Sequence, residues 1–262
     1  MSNYYPKISF ITVCKGRLHH LCETLPKNIL WNMNYPNIEF VLLDYNSKDG
    51  LEDWVKQYMG GIIERGILVY YKNPEPEYFH FTHSRNQAIK LATGDIVCNL
   101  DADNYTGEGF AYYLADKLSN VDVLVGASLI NKSFVPMFLE QHLAGTFGRI
   151  ALKREVIINV GGYFEGLEHW GDEDIDLYLR LVNLGYSFDS IEIRFLHCID
   201  HSNEERGAQT KISQVGLGSS SHSENKNIHK NNIANKNFIV NNGIFGKGSV
   251  FKNFGTELIQ ID

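Results

Sequence analysis

Several features that mark large classes of protein are missing from this sequence. None of its apolar runs approaches the roughly 20 residues that a membrane-spanning helix needs. The first residues contain neither the basic leader nor the apolar core of a signal peptide, so we expect a cytoplasmic protein. The formal net charge is −7, whereas nucleic acids bind to a concentrated basic surface, so we expect no nucleic acid partner.

Cysteine is scarce, and the motifs of two common nucleotide-binding folds are absent. The four cysteines, Cys14, Cys22, Cys98 and Cys198, form no Cys-x-x-Cys pair, which favours reduced thiols over a disulfide framework or a zinc ribbon. No Gly-x-Gly-x-x-Gly follows the first strand-like run, and no Gly-Lys-Ser/Thr phosphate loop occurs. The sequence therefore gives little support for a dinucleotide-dependent oxidoreductase or a P-loop NTPase.

The sequence does contain a regular alternation of strand-like and helical patterns. Apolar runs rich in β-branched residues cover 8–14, 38–43, 67–71 and 96–98, and segments of helical periodicity separate them. Ser84 is expected to be the N-cap of the helix before the fourth run, and later strands are expected at 145–152 and 191–196. Strands that alternate with helices at this spacing predict an α/β protein with a doubly wound, mostly parallel central sheet and helices on both faces.

Polar residues follow the strand-like runs at the points where a parallel sheet binds its ligands. They are the loops at 12–17 and 44–50, the segment before Arg85, and the pair Asp101 and Asp103. Because these features gather at one edge of the sheet, they predict a nucleotide site. A nucleotide held without a glycine cradle needs its phosphates neutralised, and a cation on Asp103 would do this. The alternative is an acidic turn in a solvated loop.

A second acidic cluster, Trp170-Gly171-Asp172-Glu173-Asp174, opens a helix further along the chain. The helix macrodipole stabilises acids in a first turn, and this alone is a sufficient structural explanation. In the functional alternative, Trp170 offers an aromatic plane to a sugar, Gly171 a hinge, and the adjoining carboxylate a proton acceptor. Acids at a helix start are expected to stay ionised, which suits a base.

Histidines and a polar segment follow this cluster. A neutral imidazole could complete the coordination of an ion held by Asp103, and it suits Mn²⁺ better than Mg²⁺. His201 is the preferred ligand, with His197 and His222 as the other candidates. The segment 216–262 begins as a polar stretch rich in turn formers, which predicts either a flexible tail or a loop that orders over a ligand. Its apolar groups at 238–240, 244–245 and 250–251 are expected to dock again on the domain.

Taken together, these motifs resemble a known family. The runs Ile11-Thr12-Val13, Leu42-Leu43-Asp44, Ser84-Arg85-Asn86-Gln87-Ala88 and Leu100-Asp101-Ala102-Asp103 resemble family 2 glycosyltransferases of the GT-A fold. From Gly145 to about Ser202, the chain is similar to the C-terminal segment of β-1,4-galactosyltransferases and of bacterial chondroitin-type polymerases, through Gly161-Gly162-Tyr163 and the Trp170 to Asp174 cluster. The resemblance implies a GT-A sheet with a small antiparallel element.

The resemblance also implies roles for individual residues. The donor nucleotide would be bound by residues on several loops, namely Thr12, Cys14, Arg17, Asp44, Asn46, Arg85, Asp101, Ala102 and Asp103. Asp44 would contact the uracil, Asp101 the ribose, and Asp103 with His201 the metal. Asp174 would be the catalytic base, with Glu173 beside it on the acceptor, and the acceptor site would include Trp170, Gly171 and Asp172. Two positions depart from the family pattern, since Tyr45 replaces a second Asp and Cys198 replaces a methionine ligand.

The implied activity is an inverting, metal-dependent sugar transfer. The donor would be a UDP-sugar carrying galactose, N-acetylgalactosamine, N-acetylglucosamine or glucose, with Mn²⁺ or Mg²⁺ as cofactor. The acceptor would be an oligosaccharide or a lipid-linked glycan, with at most peripheral association at the inner membrane face. The catalytic domain would span 1–215, with a nucleotide-binding half (1–104) and an acceptor half (105–215), and 216–262 would form the tail or lid. A non-catalytic sugar- or nucleotide-binding module and a carboxylate-pair glycoside hydrolase remain the alternatives.

Overall fold

A large central β-sheet is the framework of the computed structural model, which describes residues 4–130, 133–136, 145–168, 170–211 and 220–262. Residues 216–219 of the predicted tail and the side chain of His222 lie outside that description. Nine described strands form the sheet. In spatial order they are β10 (Phe188–Ser190), β6 (Val123–Val125), β9 (Ile150–Lys153), β4 (Ile96–Asn99), β1 (Ile8–Cys14), β2 (Ile38–Asp44), β3 (Leu68–Lys72), β12 (Gly248–Lys252) and β13 (Leu258–Ile261).

The middle of this sheet is parallel, as predicted. Strands β4, β1, β2 and β3 run in the same direction. Antiparallel strands extend the sheet at both sides, with β9 between β4 and β6, and β12 beside β3. Two small antiparallel sheets complete the strand inventory of the described residues, one from β5 (Asn104–Tyr105) and β11 (His197–Cys198), the other from β7 (Ala127–Ile130) and β8 (Ser133–Pro136).

Helices cover both faces of the sheet. They are α1 (Leu18–Asn32), α2 (Leu51–Glu64), α3 (Phe81–Leu91), α4 (Phe110–Lys117), α5 (Arg154–Asn159), α6 (Glu173–Asn183), α7 (Asn203–Gly207) and α8 (Ser220–Ala234), with short 3₁₀ turns at Ile193–Phe195 and Asn241–Gly243. Alternate residues of β1 belong to opposite cores, since Phe10 packs in one and Ile11 in the other. This period of two is what a strand buried on both faces requires. In the described part of the chain, no helix is both long and apolar enough to cross a membrane.

Three local expectations are wrong. The third helix begins at Phe81, and its cap is His80, whose Nδ1 accepts the His83 N–H at 3.3 Å, so Ser84 lies inside the helix. The expected strand at 191–196 is mostly the 3₁₀ turn, which is closed by the Phe195 N–H bond to the Glu192 carbonyl at 3.0 Å. Of the expected strand at 145–152, residues 145–148 form turns and only the end enters β9.

The polar C-terminal segment is folded onto the domain in its described part, 220–262. Helix α8 is followed by β12 and β13, which join the central sheet beside β3. Val240, Phe245 and Val250 are buried, so the expectation that these apolar groups dock again on the domain is confirmed. The division of the chain at residue 215 stays a prediction.

Candidate active site

A cavity of about 340 Å³ lies at the carboxyl ends of the parallel strands. It brings together most of the residues singled out in the sequence, namely Arg17, Arg85, Asp101, Ala102, Asp103, Trp170, Gly171, Asp172, Glu173, Asp174 and His201. The two acidic motifs, which are far apart in the chain, therefore line the same cavity. Ligands of open α/β sheets bind at this edge because the loops that follow the strands converge there.

Asp103 and His201 meet in this cavity. The Asp103 Oδ2 and His201 Nε2 atoms are 2.9 Å apart, although the residues are separated by 98 positions. The small β5–β11 sheet positions them, because it pairs Asn104 with Cys198, and the Ile199 N–H donates to the Asp103 carbonyl at 2.8 Å. Burial acts to raise the pKa of Asp103, but the hydrogen bond and charge of His201 outweigh it and lower this pKa.

This pair is a suitable donor set for a divalent cation. A carboxylate oxygen and an imidazole nitrogen are the ligand types that Mn²⁺ accepts. Cys198 is paired with Asn104, the residue that follows Asp103. Its Sγ is 2.6 Å from where a Cβ on Gly145 would stand. Burial raises the pKa of the Cys198 thiol to about 11. Asp103 and His201 are the residues that would hold the ion.

Arg85 connects the two acidic motifs. Its Nη1 donates to Asp174 Oδ1 at 3.0 Å and to Glu173 Oε1 at 3.3 Å, and its Nη2 donates to Asp101 Oδ1 at 3.1 Å. Burial acts to lower the pKa of Arg85, but the carboxylates of Asp174 and Asp101 outweigh it and raise this pKa well above its usual value. Because this buried guanidinium donates hydrogen bonds to three carboxylates, it fixes the positions of the two motifs relative to each other.

Asp174 sits at the start of α6 in a tightly packed position. A Cβ on Gly148 would stand 2.6 Å from Asp174 Oδ2, so a larger residue at position 148 would require this carboxylate to move. Burial raises the pKa of Asp174 to about 7, although Arg85 acts in the opposite direction. Asp174 is therefore less readily ionised than an ordinary aspartate, because desolvation outweighs the arginine.

Four of the expected donor residues do not line the cavity. They are Thr12, Cys14, Asp44 and Asn46. Asp44 is fully buried and accepts hydrogen bonds from the Ser47 N–H and the Tyr70 hydroxyl, each at 2.7 Å, and burial raises its pKa. Donor contacts of these four residues stay predictions, as does the whole assignment of roles.

The structure adds cavity residues that sequence reasoning missed. They are Val13, Lys15, His20, Phe79, Phe81, Gly145, Phe147, Gly148, Ile175 and Gln209. Lys15 had a signal in the basic loop after β1, and its Nζ donates to the carbonyls of Tyr45, Asn46 and Pro76. Gln209 carried no local signal, because a long-range hydrogen bond from the Phe79 N–H to its carbonyl, at 2.7 Å, brings it to the site. His197 is exposed and does not line the cavity.

The comparison with protein families gives a direct result. The family model described as "Glycosyl transferase family 2" matches residues 9–164. The chain belongs to glycosyl transferase family 2. A second model, described as "N-terminal domain of galactosyltransferase", matches residues 131–202, which confirms the resemblance seen in that segment. Among curated proteins, a search finds no match to this glycosyltransferase-family chain.

Three solved structures illustrate the folds to which this chain is similar. The mannosyltransferase PcManGT of Pyrobaculum calidifontis, in complex with GDP-Man and Mn²⁺, is 20% identical with a TM-score of 0.55. GalNAc-T7 with UDP, GalNAc and Mn²⁺ is 16% identical with a TM-score of 0.61, and S. aureus TarS with UDP is 19% identical with a TM-score of 0.55. The alignments cover 79%, 88% and 87% of this chain but 62%, 48% and 70% of those chains. At these identities the likeness shows the fold, and the predicted GT-A fold is confirmed.

Proposed function

We propose that this protein is an inverting glycosyltransferase that moves a sugar from a UDP-sugar to a hydroxyl group of a glycan acceptor, with Mn²⁺ or Mg²⁺. The observation that carries the proposal is the shared cavity, which is lined by the Asp103–His201 pair and by the Asp174 carboxylate that Arg85 holds. Family membership supports sugar transfer as the reaction. Similar folds in complex with UDP or GDP-Man, two of them with Mn²⁺, support the donor and the ion.

In the proposed reaction, the acceptor hydroxyl attacks the anomeric carbon of the donor. The bond from that carbon to the diphosphate oxygen breaks, and UDP leaves with the bonding electron pair. Asp174 takes the hydroxyl proton, and a pKa of about 7 suits a group that must accept a proton near neutral pH. When bound, a divalent cation on Asp103 and His201 supplies positive charge to the leaving diphosphate.

Other residues of the cavity position the reactants. Arg85 holds Asp174 Oδ1 in place through the 3.0 Å hydrogen bond, which orients the base towards the acceptor. Trp170 lines the cavity beside the acidic turn and offers its ring to the acceptor sugar. The proposed donor sugars are galactose, N-acetylgalactosamine, N-acetylglucosamine and glucose. The proposed acceptor is an oligosaccharide or a lipid-linked glycan reached from the cytoplasm at the inner membrane face.

A product assay tests this function against its alternatives. The protein is incubated with each UDP-sugar, Mn²⁺ and a panel of glycan acceptors, and both released UDP and new glycan are measured. A transferase gives the two products in equal amounts. A binding module retains UDP without turnover, and a glycoside hydrolase cleaves glycans without any nucleotide. Either of the last two results would contradict the proposal.

The metal assignment predicts a specific loss in one variant. Asp103→Ala removes the carboxylate that would hold the cation, so Mn²⁺-dependent UDP binding should fall to the level seen with a chelator. Titration calorimetry of UDP with and without Mn²⁺ measures this. Asp200→Ala, which removes an exposed acid from the same segment as His201, should bind as the wild type does. Unchanged Mn²⁺-dependent binding in Asp103→Ala would refute the assignment.

A further inference from the structure

A second group of metal-ligating side chains lies close to the Asp103–His201 pair. It consists of His19, His20 and Glu205, whose ligand atoms all lie within 4.8 Å of one another. Glu205 Oε1 is 2.6 Å from His19 Nε2 and 3.5 Å from His20 Nε2. The ring centroids of His20 and His201 are 5.5 Å apart, so the group adjoins the cavity without using the proposed donor-cation ligands.

The fold brings these three residues together from distant parts of the chain. His19 and His20 lie in the first turn of α1, and their ring centroids are 4.1 Å apart. Glu205 belongs to the short helix α7, where its N–H donates to the Ser202 Oγ cap at 3.1 Å. Capping fixes the start of α7 and therefore the position from which Glu205 reaches back to α1.

A cationic group already occupies this cluster in the structure. Arg17 Nη1 contacts Glu205 Oε1 at 3.1 Å and His20 Nδ1 at 3.2 Å. Two of the three residues of the cluster thus already contact a positive charge. A metal ion bound to Glu205 Oε1 would take the place of the guanidinium there.

We infer that His19, His20 and Glu205 form a second divalent-cation site, of the class that takes Zn²⁺. Two imidazoles and one carboxylate are a common protein ligand set for zinc that leaves a coordination position open. The His19 and Glu205 side chains are 58% and 33% exposed, so an ion and a water ligand can reach the site from solvent. Binding of the ion displaces Arg17 from Glu205.

The test uses zinc alone on the full chain. Titration calorimetry is carried out on Asp103→Ala, in which the proposed donor-cation site is removed, so failure of that site and failure of this one are distinguishable. This variant should retain one Zn²⁺ that is lost when Glu205→Gln is added. Adding Glu204→Gln, which changes the exposed neighbouring acid, should leave the stoichiometry unchanged. Circular dichroism checks that each variant is folded.

Two further readouts separate a metal site from a cluster of ion pairs. Because Arg17 competes with the ion, Arg17→Gln should tighten zinc binding, whereas it would only weaken a site that the arginine supports. Zinc should also shift the imidazole NMR signals of His19 and His20 in the Asp103→Ala chain. The inference is overturned if Asp103→Ala binds no zinc, or if its zinc stoichiometry is unaffected by Glu205→Gln.

Discussion

At the scale of single residues, Arg85 determines how the site is assembled. It is buried and pairs with Asp101, Glu173 and Asp174, which come from both acidic motifs. Removing one partner from a buried ionic network leaves uncompensated charge, so these four residues act as one unit. The pKa of Asp174 reports the balance, because burial raises it and Arg85 lowers it.

This balance predicts a pH shift in one variant. Asp174 acts as a base only when deprotonated, so kcat/KM should fall as pH drops through the pKa of about 7. Arg85→Gln removes the charge that lowers this pKa, so the pKa rises and the acidic limb moves to higher pH. Arg85→Lys keeps the charge and should keep the limb near its wild-type position. The pH dependence of UDP release measures both, and a limb that moves to lower pH in Arg85→Gln would contradict this assignment.

The sequence predicts some contacts of the site from residue type alone, but not others. Asp103 and His201 were predictable because their types match the chemistry of a cation, and the structure places them 2.9 Å apart. Asp44 was expected at the nucleotide from its motif alone. This contact stays a prediction. The structure adds that the Asp44 carboxylate accepts a hydrogen bond from the Tyr70 hydroxyl on a neighbouring strand, a packing partner that a sequence pattern does not show.

At the scale of secondary structure elements, helix α6 is held by a buried ion pair. Arg180 Nε donates to Asp176 Oδ2 at 2.7 Å, and both side chains are fully buried. The same guanidinium donates to the carbonyls of Val160 at 3.2 Å and Gly162 at 2.8 Å. These bonds tie the helix that carries Glu173 and Asp174 to the turn after α5.

The Arg180–Asp176 pair predicts that a single substitution lowers the free energy of unfolding more than the double substitution does. Arg180→Leu leaves the Asp176 carboxylate buried without its partner and should lower the free energy of unfolding by about 3–5 kcal/mol. Adding Asp176→Leu removes the unpaired charge and should recover part of that loss. Urea unfolding of both variants measures the difference. Equal stability of the single and double variants would contradict this account of α6.

Strands and helices were predicted correctly where the pattern of nearby residues determines them. The parallel strands β1 to β4 were predictable because buried strands read as apolar runs of limited length. The segment 191–196 alternates apolar and charged residues as a strand does, but residues 193–195 form a 3₁₀ turn in which Phe195 packs against Phe110 and Tyr113 of α4. Tertiary packing of this kind overrides local propensity.

At the scale of the whole molecule, the C-terminal residues complete the sheet. Strand β12 pairs with β3, so the edge of the parallel sheet is covered. Val240, Phe245, Val250 and Ile261 are all buried. This docking was predictable from the apolar groups at 238–240, 244–245 and 250–251, although the preceding residues 216–236 are polar.

This arrangement predicts that truncation is costly. Ending the chain at residue 235 removes four buried apolar side chains, each worth about 1.5–3 kcal/mol, and leaves β3 as an open edge. The truncated chain should unfold at a lower temperature and associate in solution. Thermal unfolding and size-exclusion chromatography measure these effects. A truncated chain as stable and monodisperse as the full chain would show that the segment is a dispensable tail.

Replacement of Asp174 by asparagine tests the proposed activity most directly. The variant keeps the Asp103–His201 pair, so Mn²⁺-dependent UDP binding should stay near the wild-type level. Loss of the base should reduce sugar transfer by about 10²–10⁴-fold. Asp200→Asn, at an exposed position, serves as the matched control and should transfer sugar normally. Transfer by Asp174→Asn at the wild-type rate would contradict the assignment of Asp174 as the catalytic base.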